Sequence, residues 1–252
     1  MNGRIKPPPG FENSPLDIKT VRAGRRFGRI YASAFPDPLG YGKTPSRFSD
    51  PRQRDPARRF GVVSLGDTLK VCFPEAVLRD RRDGLMGDLP IDEKEIYARR
   101  YAEIETIADL RLVDLREDHA IRMGVPTDVA KSSRQSLGRA WSLAFHEHRS
   151  VPDGIIYPSR LNGHTNLSIF DRAISKLSAV RVVPSASSGD RGNPRRPCFA
   201  SDFERLCRYG QLCRLRLSLG RKQATASRGD HLMAEENGTV MPGNLFQPHR
   251  KR

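Results

Sequence analysis

Apolar residues recur along this chain in short runs whose period changes, and the changes predict alternating strands and helices. Gly28-Arg-Ile-Tyr31 reads as a short strand, and Phe60-Gly-Val-Val-Ser-Leu65 as a buried one. Leu69, Cys72, Phe73, Ala76 and Val77 fall at helical spacing, so a helix is expected from Thr68 toward Arg82, with Asp67 as its cap. A second helix is expected over 91–107, where Asp92 and Glu95 stand at capping-box spacing. Residues 110–115 begin a strand. Thr127 caps the next helix, in which Leu137, Trp141 and Phe145 recur every four residues as a core stripe. Strands follow at Gly154–Tyr157, Leu167–Phe170 and Ala179–Val183. The pattern is that of a mixed α/β domain.

Between and around these elements the pattern fades. Residues 1–26 are rich in Pro, Gly and Arg without periodicity and read as a flexible arm. Residues 34–58 form a long loop rich in Pro and charge, of a length that inside a compact domain usually serves function. After Val183 the chain becomes basic and polar, with scattered Leu and Cys but no clean amphipathic run, so 27–183 is the expected domain and 184–252 a low-order tail.

Composition narrows the setting more than the chemistry. Of 252 residues, 37% are hydrophobic and 29% charged, enough for one medium-sized core. No run of about 18 apolar residues is present, so no membrane span is expected. The N-terminus lacks the apolar stretch of a secretory signal, and a cytoplasmic protein is the expectation. Four cysteines without close pairing fit reduced thiols. Cys198, Cys207, Cys213 and His231 lack zinc-ligand spacing, and His146 and His148 fall on different helix faces, so no metal is expected. The net charge of +15 is spread over the chain, with 13 Lys/Arg against 6 Asp/Glu in residues 185–252. Such a charge attracts polyanions whatever the function and does not make the chain a nucleic-acid binder.

Three stretches carry candidate chemistry. In the first, Arg29 ends a strand with Tyr31 beside it, and the loop Gly42-Lys-Thr-Pro-Ser-Arg47-Phe48-Ser49 follows. A guanidinium fork suits phosphate oxygens, and a basic, hydroxyl-rich loop can hold a diphosphate. The spacing is not that of a P-loop. In the second, Glu75 sits among Cys72, Phe73, Ala76 and Val77, and a carboxylate in so apolar a segment is costly unless paired or functional; pairing with Arg79 at i+4 is the plain alternative. In the third, Gly154-Ile-Ile-Tyr157-Pro-Ser159-Arg ends a strand at a proline and presents a serine, without the elbow or the His–Asp partners of an acyl-transfer nucleophile.

Taken in order over about residues 27–183, these stretches resemble the RES family, named for its Arg, Glu and Ser. The resemblance implies an ADP-ribosyltransferase-like core, with small sheets forming a cleft for NAD. It implies a bacterial toxin that consumes NAD as substrate, with inorganic phosphate as the preferred acceptor and no metal. It also implies an Xre-type antitoxin as partner, through which alone DNA is contacted. Glu75, Arg29 and Ser159 are then the catalytic candidates, and Arg29, Tyr31, Arg47, Ser49, Tyr157 and Ser159 the NAD contacts. Protein ADP-ribosylation by the same cleft, or a catalytically impaired relic that only binds a partner, are the other expectations. Three features depart from the family. Ser64 stands where a tyrosine is common. Pro74 directly precedes Glu75 inside the expected helix, where it removes a hydrogen bond and forces a kink. The tail past Val183 is long and reads as a solvated extension or a frame-shifted stretch.

Overall fold

The computed structural model describes residues 6–183, apart from 43–44, 53–54, 82, 85 and 87–88, and the backbone of 215–218. The fold is mixed α/β. Nine strands and five short helices alternate in the first part of the chain: β1 (Ile18–Val21), β2 (Arg26–Ala32), β3 (Val62–Gly66), α1 (Leu69–Phe73), β4 (Leu89–Asp92), α2 (Glu93–Tyr97), β5 (Arg99–Thr106), β6 (Leu110–Asp114), α3 (His119–Arg122), α4 (Asp128–Lys131), α5 (Gln135–His146), β7 (Gly154–Pro158), β8 (Thr165–Phe170) and β9 (Leu177–Val183).

Eight of these strands make one sheet in the order β1-β6-β7-β8-β3-β2-β5-β9, in place of the several small sheets expected. All pairs are antiparallel except β6 with β7. The sheet must curl. Strands β5 and β6 are seventh and second in this order, yet only residues 107–109 join them. Five strand spacings of a flat sheet span roughly 24 Å, whereas the linker reaches at most about 14 Å. Curling encloses Val21, Phe27, Leu65, Ala102, Ile104, Leu112, Ile156, Leu167 and Ile169 in a core on one face. On the other face, Val113, Ile155, Tyr157 and Phe170 pack under α4 and α5 through Val129, Trp141 and Phe145.

The pattern reading holds for β2, β3, β6, β7, β8, β9 and the core stripe of α5, and fails in four places. Thr127 precedes only the single turn α4, with no side-chain capping bond, and the helix that carries Leu137, Trp141 and Phe145 starts separately at Gln135. Residues 91–107 are not one helix. A single turn, Glu93–Tyr97, is capped by Asp92, whose side chain accepts from the Lys94 N–H at 2.9 Å, and the chain then becomes β5. In β5 Ala102, Ile104 and Thr106 are buried at every second position, a strand period that the interleaved charges obscure. Residues 11–21, assigned to a flexible arm, carry a 3-10 turn that buries Phe11 edge-on against Trp141, and strand β1 paired to β6. Four residues are too few to show a period, and pairing with a neighbour makes this strand. The cap of α1 is Thr68 rather than Asp67, so the helix starts at Leu69, and it does not run to Arg82 as one α-helix. The tail expectation, with Cys198, Cys207, Cys213 and His231, lies outside the described residues except for strand β10 (Leu215–Ser218), which pairs parallel with β4.

His146 and His148 go to different neighbours. His148 bonds the Ser14 carbonyl and the Ser150 hydroxyl, each at 2.9 Å. His146 stacks on Phe60, with ring centroids 4.1 Å apart. Burial, with Arg172 nearby, pushes the His146 pKa down from 6.5 to about 4. A histidine kept neutral by the fold binds its proton more readily in the unfolded chain, so this contribution to stability is lost as pH falls through the window from about 6.5 to about 4. Urea midpoints across that window should fall for the wild type and flatten for His146→Phe. Parallel curves would show that His146 does not drive the loss.

Candidate active site

The site grows from two glycines. Gly28 in β2 pairs with Gly66 in β3, and α1 lies directly over them. A Cβ on Gly66 would stand 2.9 Å from Cys72 Sγ and 3.1 Å from Val71 Cγ1, and one on Gly28 would stand 3.1 Å from Cys72 Sγ. Any larger residue would lift α1, and Glu75 with it, away from the sheet. The Cys72 thiol packed here is raised by burial to about 12, so it serves as a small apolar filler rather than a nucleophile.

Pro74 then reshapes the helix. It has no N–H to give the Lys70 carbonyl. The chain widens into a π turn, Pro74–Leu78, closed by the Arg79 N–H on the Pro74 carbonyl at 2.7 Å. Asn162 Nδ2 reaches the freed Lys70 carbonyl at 3.4 Å. Such turns are a recurrent way for a helix to accommodate an irregular residue at a functional site. Glu75 is the second residue of this turn and lines the cleft, so the kink that Pro74 forces does not turn it away.

The cleft has two adjoining lobes. One, of about 250 Å³, is walled by Arg29, Arg47, Glu75, Tyr157, Asn166 and Ser168 among others. The second, of about 420 Å³, is walled by Arg29, Tyr31, Phe35, Asp37, Tyr41 and Arg99 among others. Arg29, Ile30, Ser46 and Ser64 border both. The strand register explains the polar floor. Ser64 lies opposite Ser168, and Gly66 opposite Asn166, while the alternate residues Val63, Leu65, Leu167 and Ile169 face the core.

Arg29 and Arg47 are both drawn into the protein. Burial lowers the pKa of each guanidinium below its ordinary value, with Asp37 opposing at Arg29, and Tyr157 and Glu75 opposing at Arg47. Arg29 donates to the carbonyls of Pro38 (2.6 Å) and Gly40 (2.8 Å), pinning the long loop. Arg47 donates to the Ser132 carbonyl at 2.5 Å. Among the described residues neither forms an ion pair with a carboxylate. A partly desolvated cation without a directly bonded carboxylate is costly to hold, and two of them border one cleft.

Helix α5 seats the loop that carries Arg47. A Cβ on Gly138 would lie 2.5 Å from the Arg47 carbonyl oxygen, and Ser142 Oγ donates to the Phe48 carbonyl at 2.6 Å. Phe48 then meets Tyr157 edge-on at 4.7 Å. Tyr157, bonded with Ser168, has its phenol pushed up to about 12 by burial and by Glu75, so it stays protonated.

Of the sequence candidates, Arg29, Arg47, Glu75 and Tyr157 line the first lobe, and Arg29, Tyr31 and Ser49 the second. The Tyr31 hydroxyl is buried with no partner among the described residues. The Ser49 hydroxyl closes its own turn, accepting from the Ser46 N–H at 2.8 Å and donating to the Ser46 carbonyl at 3.1 Å. Ser159 borders neither lobe. It is buried behind Glu75, and its hydroxyl donates to Glu75 Oε1 at 2.6 Å. Asn166, Ser168, Ser46 and Gln135 were not singled out by the sequence. For Asn166 and Ser168 the signal was present, as two polar residues at i and i+2 alternating with the apolar Leu167 and Ile169 before the strand ends at Phe170.

The profile of the family described as RES domain matches residues 19–191. The chain belongs to the RES domain family. A relative in Sinorhizobium fredii, described as the probable toxin y4kH, is 45% identical over 107 residues, which are 42% of this chain and 84% of the relative. A solved structure, the M. tuberculosis MbcT–MbcA toxin–antitoxin complex, is similar at 17% identity and a TM-score of 0.49, covering 65% of this chain and 85% of that one. Arg29, Glu75 and Ser159 are the three catalytic candidates of the sequence. Of the three, Glu75 and Ser159 are in direct contact, and Arg29 borders the first lobe together with Glu75. The described residues include no helix long and apolar enough to cross a membrane.

Proposed function

We propose that this RES domain protein is the toxin of a toxin–antitoxin pair, and that it destroys NAD by breaking the nicotinamide–ribose bond. The family and the relative described as a probable toxin support the first part. The second is carried by one observation: two partly buried arginines that form no ion pair among the described residues, and one carboxylate with an oxygen unbonded among them, border the same cleft. We read the fold as an ADP-ribosyltransferase-like core on the same grounds.

The chemistry follows from charge. Arg29 and Arg47 take the diphosphate of NAD, restoring to each cation the anion it lacks. The larger lobe, with Tyr31, receives one end of the dinucleotide, and the smaller lobe the nicotinamide riboside, beside Tyr157. As the C1′–N bond lengthens, the electron pair leaves with nicotinamide and positive charge develops on the ribose. The Glu75 carboxylate, fixed in advance, stabilises that charge and costs no reorganisation when it forms. Ser159 holds Glu75. A phosphate oxygen then attacks C1′, giving free nicotinamide and an ADP-ribose phosphate. No step requires a metal. Neutralisation falls to an Xre-type antitoxin, and DNA is contacted through that partner alone. The setting is the cytoplasm, where NAD is abundant.

NAD loss should be followed with the full chain, with and without inorganic phosphate, and the products separated. Phosphate-dependent loss with an ADP-ribose phosphate as product is expected. Loss that ignores phosphate and yields ADP-ribose would replace phosphorolysis by hydrolysis, and label transferred to protein would make it an ADP-ribosyltransferase. A folded sample that leaves NAD intact would sink the enzymatic reading and favour a partner-binding relic.

A further inference from the structure

We propose that Asn166 is a positioning residue for Glu75: together with Ser159 it loads both available donors onto one carboxylate oxygen, Oε1, and leaves Oε2 as the oxygen offered to the substrate. This rests on the reading of Glu75 as the group that stabilises the ribosyl cation. Ser159 Oγ donates to Oε1 at 2.6 Å, and Asn166 Nδ2 donates to the same oxygen at 3.0 Å. The Leu161 N–H donates to Ser159 Oγ at 3.2 Å, so the serine's acceptor side is taken and its proton is committed to Glu75. Among the described residues no donor reaches Oε2.

The asymmetry has a purpose that a symmetric clamp would not serve. A glutamate has three rotatable bonds, and ordering it costs conformational entropy. Two donors converging on one oxygen fix the last of those rotations while leaving the other oxygen's lone pairs unspent. Asn166 suits the task because it is itself immobile. It is 3% exposed, on a strand flanked by β7 and β3, opposite Tyr157 on one side and Gly66 on the other. A Cβ at Gly66 would come within 3.3 Å of Asn166 Oδ1, so the glycine leaves room for the amide as well as for α1. The β7–β8 hairpin thus grips α1 and the π turn that follows it at three points: Ser159 and Asn166 on Glu75, and Asn162 on the Lys70 carbonyl. Removing Ser159 alone leaves the Asn166 contact on Oε1.

Asn166→Ala and Asn166→Asp test this in the full chain. The alanine variant should lower kcat for NAD loss about 10- to 100-fold, because small misplacements of a catalytic group cost up to about 10², with KM within about twofold of wild type. The aspartate variant should be as slow at neutral pH, where two carboxylates face each other. As pH falls the pair takes up one shared proton, the new carboxyl donates to Glu75 again, and activity relative to wild type should rise. A residue that merely supports the fold would not reshape the pH profile. A wild-type kcat in Asn166→Ala, or an Asn166→Asp profile parallel to wild type, would overturn the proposal. Should wild type and Glu75→Gln consume NAD equally, or not at all, the reading of Glu75 fails instead. The positioning claim is then decided by crystal structures of wild type and Asn166→Ala: a rotated Glu75 carboxylate sustains it, and an unmoved one overturns it.

Discussion

Glu75→Gln should lower kcat for NAD cleavage about 10²- to 10³-fold, equivalent to ~2.7–4 kcal/mol of lost transition-state stabilisation, the range found when one preorganised electrostatic partner is removed. Glutamine keeps the shape, and its carbonyl oxygen still accepts from Ser159 and Asn166, so the side chain stays in place and only the charge goes. That separates charge from packing, which Glu75→Ala does not. KM should change little, because the dinucleotide is held by Arg29 and Arg47 and the carboxylate acts chiefly on charge that exists only in the transition state. Nicotinamide release in single turnovers measures the step directly. Since Glu75 is outside the three apolar clusters, the thermal midpoint should stay within a few degrees, corresponding to less than about 1 kcal/mol. A variant within threefold of wild type would remove Glu75 from the mechanism and leave the two arginines as a binding site without chemistry.

The carboxylate was the most legible part of this site, and the reason is physical. A charged residue between Phe73–Pro74 and Ala76–Val77 stands out in any apolar stretch, so Glu75 could be picked from the sequence, and its resemblance to the family gave it a role. The strands that form the cleft floor were equally plain: β3, β7 and β8 are runs of apolar residues ended by turns. What did not show was their register. Only the pairing of Ser64 with Ser168, and of Gly66 with Asn166, turns isolated polar residues into a floor, and pairing is set by partners about a hundred residues away in the chain. Strand β5 reads as helix in the sequence because Arg99 and Arg100 precede and Glu103 and Glu105 interleave with its buried residues, and because Asp92 does cap a helix, though one of a single turn. Pro74 looked like a fault in a regular helix. In the fold it is absorbed by the π turn, a device invisible without the i→i+5 bond from Arg79.

Phe48→Ala is the substitution in which the fold and the site should fail together. Phe48 is 1% exposed and joins the core under α5. Truncating a buried aromatic to alanine costs about 3–5 kcal/mol, through lost burial and the cavity that remains. Against the 5–15 kcal/mol stability typical of a domain, that is a large share, and the urea midpoint should drop accordingly. The functional loss has a separate cause. Phe48 is the next residue after Arg47, and its ring against Tyr157 fixes the loop on one side while Ser142 and the space at Gly138 fix it on the other. Without the ring, Arg47 is tethered by its bond to the Ser132 carbonyl and by a looser backbone, so the diphosphate loses a preplaced cation. KM for NAD should rise well before the domain unfolds, at temperatures where circular dichroism still reports native structure. Phe48→Leu separates the two effects: it restores much of the buried area and hence most of the stability, but not the edge-on contact with Tyr157. If KM recovers with stability in the leucine variant, Phe48 acts only as core. If stability recovers and KM does not, the aromatic contact itself aims Arg47 into the cleft.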